Sequence, residues 1–147
     1  GVTGMEGMTL YAGWASIDKD TSGSTLVDDE VEYVVGAKYA VGGFTLGYQY
    51  SKEDVDTTSV GNYQNNAYGV SFNVNDNLTL SYGKVQSEKN YADATAAVEI
   101  EATSIQIAYT MGGMSVRLAD GSIDNRNYST AVQDDRDGRT LSVSLAF

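Results

Sequence analysis

The residues of this chain with the clearest chemical potential are clustered oxygen donors. Asp18-Lys19-Asp20-Thr21-Ser22-Gly23-Ser24, with Asp29 in twelfth place, follows the spacing of a calcium loop. Such a loop sets oxygen ligands at positions 1, 3, 5 and 12 and a sharp glycine turn at position 6. A calcium site at Asp18, Asp20, Ser22 and Asp29 is therefore one expectation. Against it, Asp29 replaces the usual bidentate Glu, Thr25 fills the apolar eighth position, and the flanks read as strands rather than helices. A solvated acidic loop is the competing expectation. Catalysis has less to work with. The chain has no His, which rules out a Ser-His-Asp arrangement. Asp28 and Asp29 are adjacent rather than opposed across a cleft, as paired acid and base carboxylates would be. No enzyme and no organic cofactor are expected.

Composition narrows the rest. The 147 residues read as one unit over positions 1–147. Nine Lys and Arg against 20 Asp and Glu give a net charge of −11, unsuited to binding nucleic-acid phosphates. Missing cysteine leaves the redox compartment open. No run of about 18 apolar residues exists, so a membrane-spanning chain of this sequence has to be a β-barrel. Sixteen Gly, eleven Tyr and no Pro suit strands and turns. Neither the Gly1 start nor the following residues read as a signal peptide, as in a mature or partial chain.

The elements that would carry such residues repeat. Turns open strands in the same way at Gly7-Met8-Thr9-Leu10, Gly43-Phe44-Thr45-Leu46, Asn77-Leu78-Thr79-Leu80 and Gly113-Met114-Ser115-Val116. Returning strands end on Tyr39, Phe72, Tyr109 and Phe147. Tight turns at 41–43, 75–77 and 111–113 alternate with long polar connections expected at about 18–30, 53–64, 88–97 and 121–138. Eight antiparallel strands result, with short turns at one rim and long loops at the other.

Side chains alternate with period two. Phe44, Leu46, Tyr48 and Tyr50 share one face, while Thr45, Gly47, Gln49 and Ser51 share the other. The same parity places Glu32, Lys38, Gln49, Gln106 and Arg117 on the polar face, as candidate pore-lining residues that would bias ion passage. Glu32 is a candidate neutraliser of Lys38. Lys84 and Glu101, near the loop ends, have ambiguous facing. Aromatics gather at strand ends. Tyr39, Phe44, Phe72, Tyr109 and Phe147 stand near the short turns, and Trp14, Tyr33, Tyr50, Tyr68 and Tyr82 near the long loops. Two belts flanking an apolar band fit the two interfaces of a bilayer.

The closing Leu141-Ser142-Val143-Ser144-Leu145-Ala146-Phe147 resembles the terminal strand by which the barrel-assembly machinery reads bacterial outer-membrane proteins. With the hairpins around Val41-Gly42-Gly43-Phe44 and Met111-Gly112-Gly113-Met114, the chain resembles a general diffusion porin of the alphaproteobacterial type. That resemblance implies a sixteen-stranded barrel of which these strands form the carboxy-terminal half. It also implies a homotrimer in the outer membrane of a Gram-negative bacterium, in contact with lipid and lipopolysaccharide. The implied function is a water-filled channel for passive diffusion of small hydrophilic solutes and ions. The inward-folded third loop of that family has no counterpart in the sequence. The alternatives are a complete eight-stranded barrel that binds partners through its loops without an open pore, and a soluble barrel.

Overall fold

The computed structural model describes residues 6–18, 29–55, 57 and 59–146. Eight strands form a single sheet in chain order: β1 (Met8–Ile17), β2 (Glu30–Val41), β3 (Phe44–Asp54), β4 (Val60–Asn73), β5 (Leu78–Tyr91), β6 (Val98–Met111), β7 (Met114–Asp124) and β8 (Arg136–Leu145). Each pairs antiparallel with its neighbours, while β1 and β8 form the two ends of the sheet and do not pair with each other. Tight turns fall where the Gly-Gly and Asn-Asp-Asn signals put them. Gly42, Gly43 and Gly112 take positive φ values of 54°, 86° and 56°, which glycine reaches without a Cβ clash.

The long connections are shorter than the sequence pattern implied. β3 continues to Asp54, β4 starts at Val60, β5 runs to Tyr91 and β7 to Asp124, leaving gaps at 55–59, 92–97 and 125–135. Alternation fades at these ends because both faces turn polar, yet backbone pairing persists. Glu53 pairs with Tyr63, and Glu88 with Glu99.

The apolar residues share one face throughout. One ladder row carries Val41, Phe44, Phe72, Leu80, Ile107, Leu118 and Leu141 in turn across β2 to β8. The row through Ala12, Val35 and Tyr50 instead becomes polar from β4 onward, at Asn66, Gln86, Glu101 and Asp124. The apolar band therefore slips along the strands by roughly one residue per strand. At ~3.4 Å per residue and ~4.8 Å between strands, this slope is about 35°. A level apolar band on tilted strands has that form, and membrane barrels tilt theirs by ~35–45°.

No described side chain is fully buried. Large apolar residues stand open: Leu46 is 47% exposed, Ile105 62%, Leu141 66% and Trp14 71%. An uncovered apolar face of this extent needs lipid or protein against it.

Candidate functional site

On the opposite face the wall is bare along one ladder row. Lys38, Gly47, Gly69, Gly83, Ser104, Gly121 and Gly138 follow one another from β2 to β8. A Cβ added at Gly47, Gly69 or Gly138 would meet nothing within 4 Å, so these positions face open space. Gly36 differs, because a Cβ there would run into the ring of Tyr11. Tyr11 lies across Gly36 from β1 and donates its hydroxyl to Gln49 Oε1 on β3 at 2.9 Å. It thus fills the gap that glycine leaves in β2.

The structure places Glu32, Lys38, Gln49, Gln106 and Arg117 on this polar face but does not bring them together. Lys38 stands between Thr9 and Gly47, and Arg117 between Ala108 and Ser142. Neither has an ion-pair partner among the described residues. Gln106 Nε2 donates to Ser104 Oγ at 3.4 Å. Glu32 lies six residues along β2 from Lys38, about 20 Å at the strand rise, and so does not neutralise it. It faces Glu53 across the β2–β3 ladder, and Glu30, Glu32 and Glu53 bring carboxylate oxygens within 4.8 Å of one another. Three converging carboxylates are chemically suited to a hard cation. Of the calcium-loop residues, Asp18 and Asp29 adjoin the closing β1–β2 pair Ile17 and Glu30, whereas Asp20 and Ser22 lie outside the described residues.

Past the glycine row, toward the long loops, an aromatic and cationic cluster forms on the polar face. Tyr63 on β4 pairs with Lys89 on β5. Tyr128, from the connection between β7 and β8, sits over both. Its ring centroid is 5.4 Å from that of Tyr63, and Lys89 Nζ lies 5.9 Å from the Tyr128 ring and 4.9 Å from that of Tyr91. Its hydroxyl is 2.7 Å from Ser87 Oγ, which is also hydrogen-bonded to Asn65. The connection is tied down at its start, where Asn125 donates its side-chain amide to the Glu99 carbonyl at 2.9 Å and its backbone N–H to Asp135 Oδ1 at 2.9 Å. Asn125, Asn127 and Tyr128 have φ of 54°, 62° and 54°. Asn tolerates that left-handed region; Tyr does so at a cost of roughly 1–3 kcal/mol. The nearby Arg126 Nε is enclosed without a hydrogen-bond partner. Sequence reasoning missed this cluster. Its only local signal is one aromatic in the polar stretch Asn125-Arg126-Asn127-Tyr128.

Of the belt candidates, Trp14 pairs with Tyr33, Tyr39 with Leu46 and Met8, and Tyr109 with Leu78 and Val116, all on the apolar face. Phe44 stacks on Phe72 at 4.3 Å, and Tyr33 lies 5.9 Å from Tyr50. Phe147 lies outside the described residues. Beyond the band on the long-loop side, the same face turns polar. Lys84 pairs with Glu101 at 2.8 Å, Lys52 with Asp54 at 2.6 Å, and Arg139 with Asp120. Gln86 donates to Glu99 at 3.0 Å and Asn90 to Asn62 at 3.1 Å. Lys84 and Glu101 are thus placed on the apolar-parity face, just past the end of the band.

No protein-family model matches the chain, and no curated protein matches it. Among solved structures it is similar to a porin refined at 1.8 Å resolution, with a TM-score of 0.73 and 18% sequence identity. The match covers 97% of this chain and 49% of that one, so the chain spans about half the length of the porin it matches. The likeness establishes a porin-like fold.

Proposed function

We propose that these eight strands are part of the wall of an outer-membrane porin that passes small hydrophilic solutes and ions by diffusion. The observation that carries this is the contrast between the two faces. One bears an open apolar band sloped as tilted strands in a bilayer require; the other bears small polar side chains and a glycine row in which Gly47, Gly69 and Gly138 face open space. The polar face then lines water, with Lys38, Arg117, Gln49, Gln106 and Glu32 as lining residues that bias ion passage. A sixteen-stranded barrel of the general diffusion type, assembled as a homotrimer in a Gram-negative outer membrane, accommodates the half-length match and the two open sheet edges. In that setting Trp14, Tyr33, Tyr39, Phe44, Phe72 and Tyr109 anchor the band at the interfaces. The outward carboxylates Glu88, Glu99, Asp124 and Asp137 stand where divalent cations, calcium included, would bridge them to lipopolysaccharide phosphates. The barrel-assembly machinery would engage the last strand.

Planar-bilayer recording of the full protein tests this. Stable ohmic conductance is expected, and Gly47→Phe with Gly69→Phe should lower it by placing two rings in the open row without disturbing the fold. Absence of stable conductance from correctly folded protein would instead favour a closed barrel that acts through its loops.

A further inference from the structure

The connection between β7 and β8 does not stand out from the rim. Its contacts carry it back across β6, through Asn125 to the Glu99 carbonyl, across β5, through Tyr128 to Ser87 and Lys89, and onto Tyr63 of β4. Three strand spacings amount to ~14 Å of wall covered from one side. Every side chain that Tyr128 meets has the parity of the glycine row, so the segment lies on the polar face and not on the apolar one. The backbone is bent to reach this position. Asn125 and Asn127 take left-handed φ readily, whereas Tyr128 takes it at a cost, a strain that persists where the surroundings over-determine it. Here the surroundings are a hydroxyl pair, a tilted ring pair and a cation facing the Tyr128 ring. An enclosed Arg126 Nε donor beside them is left without an acceptor.

We propose that residues 125–135 form a pore-narrowing element, latched onto the channel wall by Tyr128 on its seat of Tyr63, Ser87 and Lys89. Tyr128 is the positioning residue that holds the element in the lumen. Arg126 is set against Asp134 and Asp135 of the same segment, and Tyr63 pairs with Glu53, so Lys89 on the seat tempers an otherwise acidic narrowing that sets both the size of passing solutes and the division of current between cations and anions. The inference rests on the porin reading, since only a water-filled lumen gives the narrowing something to restrict.

The test is single-channel recording of the full protein in wild-type form and as Tyr128→Gly, Tyr128→Phe and Lys89→Gln, with reversal potentials measured in a salt gradient. Glycine adopts the left-handed φ freely but loses the whole seat, so Tyr128→Gly should raise conductance. Tyr128→Phe keeps the ring on Tyr63 and should stay near wild type. Lys89→Gln should shift the reversal potential toward cation selectivity. Trypsin digestion of the membrane-embedded protein supplies a second readout that needs no channel. The bond after Arg126 should resist cleavage in the wild type and become cleavable in Tyr128→Gly. A wild type that folds but does not conduct overturns the porin reading itself. A wild type that conducts, with all three variants matching its conductance and selectivity and with equal cleavage after Arg126, overturns the latch while leaving the porin reading intact.

Discussion

Single side chains in this protein act mainly by what they do to the backbone around them. Tyr11 covers the strand glycine Gly36, restoring packed area where a strand would otherwise be weak. Asp93, in the turn between β5 and β6, accepts a hydrogen bond from the Thr95 N–H at 2.9 Å. The Thr95 hydroxyl and backbone N–H together hold its carboxyl below the usual aspartate range. Because the folded value is depressed, the ordering of this turn is fully present above the ordinary aspartate pKa and fades as pH falls through the lowered one. In an NMR titration, Thr95→Ala should raise the Asp93 midpoint part of the way back, since the backbone donor remains. An unchanged midpoint would remove the hydroxyl from that role. None of these local devices is legible in the sequence, where Tyr11 is one aromatic on the polar parity of β1 and nothing marks Tyr11 and Gly36 as neighbours.

The strands carry the division between an apolar and a polar face. Ile105 and Gln106 are consecutive on β6, yet Ile105 lies in the apolar row with Tyr82, and Gln106 in the polar row with Ser81. Ile107→Arg, one step deeper in the same apolar face between Leu80 and Leu118, should therefore cost about 2–4 kcal/mol in membrane unfolding, whereas Gln106→Arg should cost close to nothing. Reversible denaturant titration in lipid vesicles checks this, and equal costs would mean that the faces are wrongly assigned. Where alternation was strong, as over 44–50, 68–72 and 105–111, the strands were legible from period two alone. Their rim halves were not, because Lys52, Gln64, Glu88 and Glu99 on one face and Glu53, Tyr63 and Lys89 on the other offer no contrast to read. Register decided those segments, and it also set Glu101 diagonally across from Lys84, within ion-pair reach. The Tyr128 seat depends on three elements distant in sequence, so no local pattern announces it.

At the level of the molecule, the sheet buries no apolar core among its described residues and leaves the backbone of β1 and β8 open at its two ends. In the proposed bilayer setting every unsatisfied backbone group would cost several kcal/mol, so both edges would need strand partners, which the sixteen-stranded reading supplies from further strands and the eight-stranded one from β1 and β8 themselves. The repeated hairpins and the rim asymmetry were visible in the sequence. The slope of the apolar band, by contrast, needed the pairing register. Spin-label accessibility scanned along positions 44–51 of the full protein in lipid vesicles bears on this directly. Positions 44, 46, 48 and 50 should be open to oxygen dissolved in the bilayer, and 45, 47, 49 and 51 to a water-soluble paramagnetic complex, in strict alternation. If the even positions were shielded from both reagents, the apolar face would be a packed protein interior and the porin wall would be the wrong account.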